Sequence, residues 1–325
     1  MTRLGYQLPN FDYPGVDRAD IFKVTAASAK AAEDAGFDTV LVMDHFYQLP
    51  HLGAPDNSML ECYTLLAALA QHTSKVRLGA LVTGNTYRNP AVLAKILTTL
   101  DHVSGGRAQL GIGAGWFELE HTSFGIEFGT FTDRFEKLEE SLQVIIPMLR
   151  GERPSLAGKH YTVVDAINEP APLSRIPVMI GGSGEKKTLR MVAQYADMGN
   201  LTCDASEVPR KLDALAAHCE RLGRDRSDIV VSWQRTVCIG ETTAEAEADR
   251  DAFLASRGLD YATLPDDFRA VIDSLLVVGD AATVGEKFAQ WKSIGVDGFT
   301  MSMPAQGHMP DKVALAGKVV GAAVG

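Results

Sequence analysis

Thr39-Val40-Leu41-Val42-Met43-Asp44-His45-Phe46 is the stretch whose reading decides the fold. An unbroken apolar and β-branched run stops abruptly at a carboxylate, an imidazole and an aromatic ring. A strand covered by helices on both faces reads this way, because neither face needs polar residues. The ordinary account of one such ending is that Asp44 caps the next turn and His45 packs or is solvated nearby. What argues for more is that other strands in the chain end in a similar manner.

Working outward, Arg18 to Ala35 reads as an alanine-rich helix stopped by Gly36, and Leu4 to Leu8 as a short strand before it. After His45 comes a long loop, Tyr47 to Asn57, of the kind that is more often functional than idle. A helix over Met59–Gln71, a strand over Val76–Val82 and a helix opening at Asn89-Pro90 follow. The strand Ala108 to Ile112 leads to a helix over Thr132–Leu149, whose apolar residues recur every three or four positions. Residues 151–176 break the rhythm and read as an insertion loop after the fourth unit. Further strands are expected at 177–182, 199–203, 229–239 and 298–304, with helices at 208–222, 243–256 and 284–294 between them.

Eight strands alternating with helices build either an open doubly wound sheet or a closed (β/α)8 TIM barrel. Eight units over 325 residues favour the barrel, as one domain spanning the chain. No glycine fingerprint follows the first strand, which weakens the dinucleotide-binding alternative. In a barrel the chemistry belongs at the C-terminal ends of the strands.

Those ends carry the candidate site. Strand two ends in Asp44-His45 and strand three in Val82-Thr83-Gly84-Asn85. Strand four ends in Gly113-Ala114-Gly115-Trp116, and strand five in Gly181-Gly182-Ser183-Gly184. Glycines on successive strand ends let a flat ligand approach the backbone, although each alone is an ordinary turn glycine. The fifth end opens a helix beside Lys186 and Lys187, which suits an anion, or else the lysines are simply solvated. Trp116-Phe117 either walls a planar ligand or packs the mouth. Glu118, Glu120 and His121 are candidate acid/base groups, against the commoner reading of charges on a surface helix.

The bulk properties bound the partners. A net charge of −10 excludes the basic face that nucleic-acid binding requires. Four scattered cysteines without ligand spacing point to free thiols and no metal centre. Without an apolar leader or a stretch long enough to span a bilayer, the chain is expected to be soluble and cytoplasmic, with no membrane partner.

Taken in order, Met43-Asp44-His45-Phe46, Leu78–Thr83 running to Tyr87-Arg88-Asn89-Pro90, Gly105-Gly106-Arg107, Gly111–Trp116 with Glu118-x-Glu120-His121, and Ile180–Gly184 resemble one family. It is that of the bacterial-luciferase-like oxidoreductases, in particular the branch that uses the deazaflavin coenzyme F420. The resemblance implies a barrel holding a flavin-type ring at its mouth, acting on a small-molecule substrate and usually a homodimer. It implies a non-proline cis peptide near Ala80, Leu81 and Val82, with Thr83 beyond it. It places Asp44 against the ring system and His45 at its reactive carbon as the proton-handling residue. Gly113, Gly115 and Trp116 line the ring, and Gly181, Gly182 and Ser183 receive the phosphate-bearing tail. FMN, in a monooxygenase, is the alternative cofactor, and a barrel that binds its cofactor without turnover is the non-enzymatic one. In glucose-6-phosphate dehydrogenases of the branch a glutamate follows the fourth-strand glycines, where this chain has Trp116. The lysine expected after strand six is replaced by Thr202-Cys203-Asp204. Both departures argue against a sugar phosphate and for a small, apolar substrate.

Overall fold

The computed structural model describes residues 2–325. Eight parallel strands close on themselves: β1 (Arg3–Leu8), β2 (Thr39–Val42), β3 (Arg77–Ala80), β4 (Ala108–Gly113), β5 (Val178–Gly181), β6 (Met198–Leu201), β7 (Val230–Gly240) and β8 (Gly298–Ser302). Each pairs with its neighbours in sequence order, and β8 returns to β1 in the register Arg3↔Gly298 to Gln7↔Ser302. The (β/α)8 barrel expected from the alternation is the observed fold. Every residue of β2, β4 and β8 is buried; β2 accordingly reads as a near-continuous apolar run, while Gln109 of β4 and Thr300 and Ser302 of β8 are buried polar side chains.

Alternation along the strands sorts their side chains. Val40 and Val42 face the surrounding helices, whereas Leu41 joins Leu81 and Met179 in a small separate cluster inside the barrel. The interior is otherwise polar: Gln234 donates to Gln7 Oε1 (2.7 Å), and Asn200 donates to Ser232 and Thr300 (2.9 and 3.1 Å). These bonds tie strands to one another inside the barrel.

The helices relevant to the site are α1 (Ile21–Asp34), α2 (Cys62–Leu69), α3 (Pro90–Ser104), α4 (Glu118–Phe124), α5 (Phe131–Leu149), α6 (Thr188–Tyr195), α7 (Val208–Leu222), α8 (Thr243–Ala255) and α9 (Asp266–Leu275). α10 (Ala281–Lys292) and α11 (Pro310–Val324) complete the ring. α5 starts in a reciprocal capping box between Thr130 and Asp133. α3 ends at Gly105, whose positive φ a residue with a Cβ adopts only with strain.

Four features depart from the expected outline. β3 stops at Ala80, short of the expected Val82, and Thr83–Gly84 then pairs separately with Ile112–Gly113 of β4; the Leu81–Val82 peptide between them is cis, as the resemblance implies. The 151–176 insertion contains a two-residue hairpin, Leu156–Ala157 against Thr162–Val163. A ninth parallel strand, Leu276–Asp280, lies outside the barrel on the second half of β7, which is long enough to serve three partners. α9 and α11 occupy stretches where no helix is expected above. Among the described residues, no helix is long and apolar enough to cross a membrane.

The base of the barrel is tied by a buried carboxylate. Glu33, at the end of α1, accepts the backbone N–H groups of Ser74, Lys75 and Val76 and the Ser74 hydroxyl. Burial alone would raise its pKa, but these donors outweigh it and bring the carboxyl from 4.5 to about 2. A depressed folded-state pKa gives stability that is complete above pH 4.5 and lost as pH falls towards 2. Glu33→Gln is expected to cost about 1–3 kcal/mol at pH 7, the cost of leaving converging donors poorly met, with the deficit closing as pH is lowered through that window. Urea unfolding at stepped pH measures this; an unchanged midpoint at pH 7, or a deficit undiminished in acid, contradicts it.

Candidate active site

At the C-terminal mouth of the barrel lies a cleft of about 840 Å³. β2 ends at its edge and delivers Met43 and His45 into the wall. Asp44, one residue between them, points the other way by the alternation of the extended chain. It is buried against Arg88, whose guanidinium takes both carboxylate oxygens (2.6 and 2.9 Å), and it accepts the Gly84 N–H at 3.0 Å. Burial pushes the Asp44 carboxyl up, with Arg88 and the Gly84 amide pulling it down. Arg88 also reaches Glu61, the cap of α2, at 2.7 Å. Asp44 therefore clamps the β2 and β3 ends to α2 and does not line the cleft.

His45 is held by a residue that the sequence makes look peripheral. Glu120, on α4, has 0% exposure. Its carboxylate accepts from His45 Nδ1 (2.9 Å), the backbone N–H of Tyr47 (2.9 Å), the N–H of Phe46 and the Tyr87 hydroxyl. Burial alone would raise its pKa; the His45 ring, Tyr87 and the Tyr47 amide outweigh burial and hold it below the ordinary carboxylate range. An ionised carboxylate only accepts, so Nδ1 carries the hydrogen and Nε2 is the imidazole's remaining nitrogen. His121, equally buried, is spent inside the protein: Nδ1 meets the Phe117 carbonyl at 2.8 Å and Nε2 the Thr86 hydroxyl at 2.7 Å.

The other expected residues divide. Leu81, Val82, Thr83, Gly113, Gly115, Trp116, Gly181 and Gly182 line the cleft with His45; Ala80 and Ser183 do not. Ser183 turns to β6, where its hydroxyl accepts the Thr202 N–H at 2.9 Å. The space a Cβ would need at Gly113 and Gly181 is taken by the Val82 methyls, at 2.9 and 2.7 Å. These two glycines admit Val82 to the wall between them. Trp116 is 58% exposed, stacked on Phe117 and edge-on to His45 with ring centres 5.9 Å apart.

Several lining residues had no sequence signal. Met43, Leu49 and Leu52, with Phe117, form a distinct apolar cluster at the β2 side. Arg134 of α5 donates to the Gly115 and Gly129 carbonyls (3.1 and 2.9 Å) and lies over the Phe128 ring, fixing the loop after β4. Gln7, Asn200, Gln234 and Ser302 form a polar floor. The Oδ1 of Asn200, a residue 1% exposed, has no hydrogen-bond partner there.

The model of the luciferase-like monooxygenase family matches residues 2–298. The chain belongs to that family. Members similar to it include an F420-dependent glucose-6-phosphate dehydrogenase from Microbacterium testaceum, 32% identical over 203 residues, which are 61% of this chain and 59% of that protein. A pyrimidine monooxygenase from Stutzerimonas stutzeri is 30% identical over 234 residues, 69% of this chain and 62% of the relative. The chain thus spans about three-fifths of the length of these curated relatives. Among solved structures, the coenzyme F420-dependent tetrahydromethanopterin reductase from Methanopyrus kandleri superposes with a TM-score of 0.77, at 20% identity and 98% coverage of both chains. An F420-dependent secondary alcohol dehydrogenase does so at 0.77 and 18%, covering 97% of this chain and 99% of its own. At such identities the likeness establishes the shared barrel.

Two substitutions test this arrangement. Arg88→Met leaves Asp44 buried without its cation and is expected to cost about 3–5 kcal/mol in chemical denaturation; a loss under 1 kcal/mol would mean the clamp carries nothing. Glu120→Gln replaces an acceptor that fixes one tautomer by an amide able to donate or accept. Long-range ¹H–¹⁵N spectra should show His45 protonated at Nδ1 in the native protein and mixed between tautomers in the variant. An identical His45 pattern in both would remove Glu120 from the site.

Proposed function

We propose that the protein is an oxidoreductase that binds coenzyme F420 in the barrel mouth and passes hydride between it and a small organic substrate other than a sugar phosphate. The observation that carries this reading is His45, an imidazole set in a cleft with its Nδ1 committed to a buried carboxylate. The family membership and the F420-dependent relatives support the choice of cofactor.

The residues present fit such a group. The cleft volume lies in the range of cofactor sites. Leu81, Val82 and Trp116 offer flat or apolar surface for a ring, and the unpaired Asn200 Oδ1 is an acceptor for a ring N–H. Gly182, Thr188 and Arg134, on the β4–β5 side, would hold the anionic tail. The deazaflavin, when bound, supplies the two-electron hydride step.

The chain's own task is to orient the substrate and move one proton. His45 Nε2 is the group that does so, and the Glu120 carboxylate stabilises the ring when it takes the charge. Met43, Leu49 and Leu52 keep that side of the cleft dry and match an apolar substrate body. Trp116 in place of an acid, and Thr202-Cys203-Asp204 in place of a lysine, support the exclusion of sugar phosphates.

Titrating the purified protein with F420 and separately with FMN tests the reading. Saturable micromolar binding of F420 is expected, and binding of FMN alone would move the protein to the monooxygenase chemistry. With a turned-over substrate in hand, His45→Ala should lower kcat about 10²–10⁴-fold while leaving F420 affinity within a few-fold. Undiminished turnover would remove His45 from proton transfer.

A further inference from the structure

We propose that Arg235 anchors an oxyanion on the substrate, so that the β6–β7 end of the cleft takes the carboxylate or phosphate head of an otherwise apolar molecule. This rests on the reading above for the cofactor and names the class of its substrate. Arg235 lies in β7, is 4% exposed and lines the cleft beside Thr202, Cys203 and Leu275. Its guanidinium sits between two indoles, 4.4 Å from the Trp233 ring and 4.8 Å from that of Trp291. Nη2 donates to the Ser274 carbonyl at 2.6 Å, while Nε has no partner. Among the described residues no carboxylate comes within 4.0 Å of it, although 19 Lys or Arg ion pairs occur elsewhere.

A buried guanidinium is costly unless its charge and its N–H groups are met. Stacking on indoles offsets part of that cost and fixes the plane of the group, but supplies no acceptor for Nε. The chain has 41 acidic side chains to draw on, yet gives this cation none at contact distance. Glu207, at the same end, is paired with Arg210 at 2.8 Å. A planar guanidinium held between indoles, lining a cleft and left without a carboxylate, is the arrangement that binds carboxylate or phosphate oxygens; its buried, unpartnered Nε shows that the protein itself does not complete the group. Of the buried polar atoms without a partner, Asn200 Oδ1 and Arg235 Nε are the two that belong to cleft-lining residues, and they lie on neighbouring strands. The competing reading is internal neutralisation by Asp204, which lines the same cleft and acts on Arg235 from beyond contact distance.

Benzoate, phenyl phosphate and the neutral benzamide separate the two. Each is titrated calorimetrically into protein preloaded with F420, whose own binding is followed by its visible absorbance. The native protein should bind at least one of the two anions ten-fold or more tightly than benzamide, and which anion wins tells carboxylate from phosphate. Arg235→Met should abolish that preference without changing F420 affinity. No preference in the native protein, as internal neutralisation gives, overturns the proposal; so does a preference that survives in Arg235→Met. If the methionine variant does not fold, Arg235→Lys keeps charge but loses the planar fork, and unchanged anion affinity in it is equally fatal. Anion preference without F420 binding would defeat the cofactor reading alone.

Discussion

The mouth of this barrel is assembled around one buried anion. An isolated carboxylate taken out of water costs several kcal/mol, so Glu120 is tolerable only where donors converge on it. They come from two places, the backbone of Phe46 and Tyr47 with the His45 ring after β2 and the Tyr87 hydroxyl after β3, while α4 after β4 supplies the carboxylate itself. Each loop alone is irregular and short of hydrogen bonds. Bringing them to a common acceptor gives each a reason to adopt the conformation that also shapes the cleft. The same contacts that make the carboxylate affordable thereby set the imidazole, and order at the site follows from a requirement of folding.

Asp44 and Glu120 show how adjacent-looking signals divide in space. Both are acidic, both end buried, and each is met by groups from other strands. Extended geometry sends neighbouring side chains to opposite sides, so Asp44 and His45 cannot both face the ligand from a straight strand end. Asp44 takes Arg88, 44 positions along the chain, and becomes structural. His45 takes the cleft. Nothing local in Met43-Asp44-His45-Phe46 says which of the two goes where, because the deciding partner is in a loop the fold has yet to bring near.

The barrel itself was legible because strands covered on both faces leave continuous apolar runs, and eight of them recur with helices between. The outer strand Leu276–Asp280 was not, since it adds to the flank of β7 and is none of the eight barrel strands. Glu120 and His121 were open to view only as charged residues beside a third, Glu118. α4 has seven residues, too few for a period to show that one face turns inward. The glycines of Gly113 and Gly181 were read as room for a ligand; the immediate tenant of that room is Val82, a side chain placed by the chain's turn after β3. Sequence patterns register burial well and the identity of the neighbour poorly.

The satisfied and unsatisfied groups are not mixed at random around the cleft. On the β2–β4 side, His45, Glu120, Tyr87 and Arg134 all have partners, and much of the remaining wall is apolar. On the β6–β7 side, Asn200 and Arg235 keep one atom each without a partner. A protein of net charge −10 that leaves a buried cation open at one end of a cleft concentrates its attraction for anions there and repels them elsewhere on its surface. Rigid, internally completed groups suit a step that needs a fixed proton position, whereas incomplete ones suit recognition, because a ligand gains what the protein withheld. The two halves of one mouth are thus built on opposite rules, and on the proposed reading a molecule bridging them is held at its head with its other end beside His45.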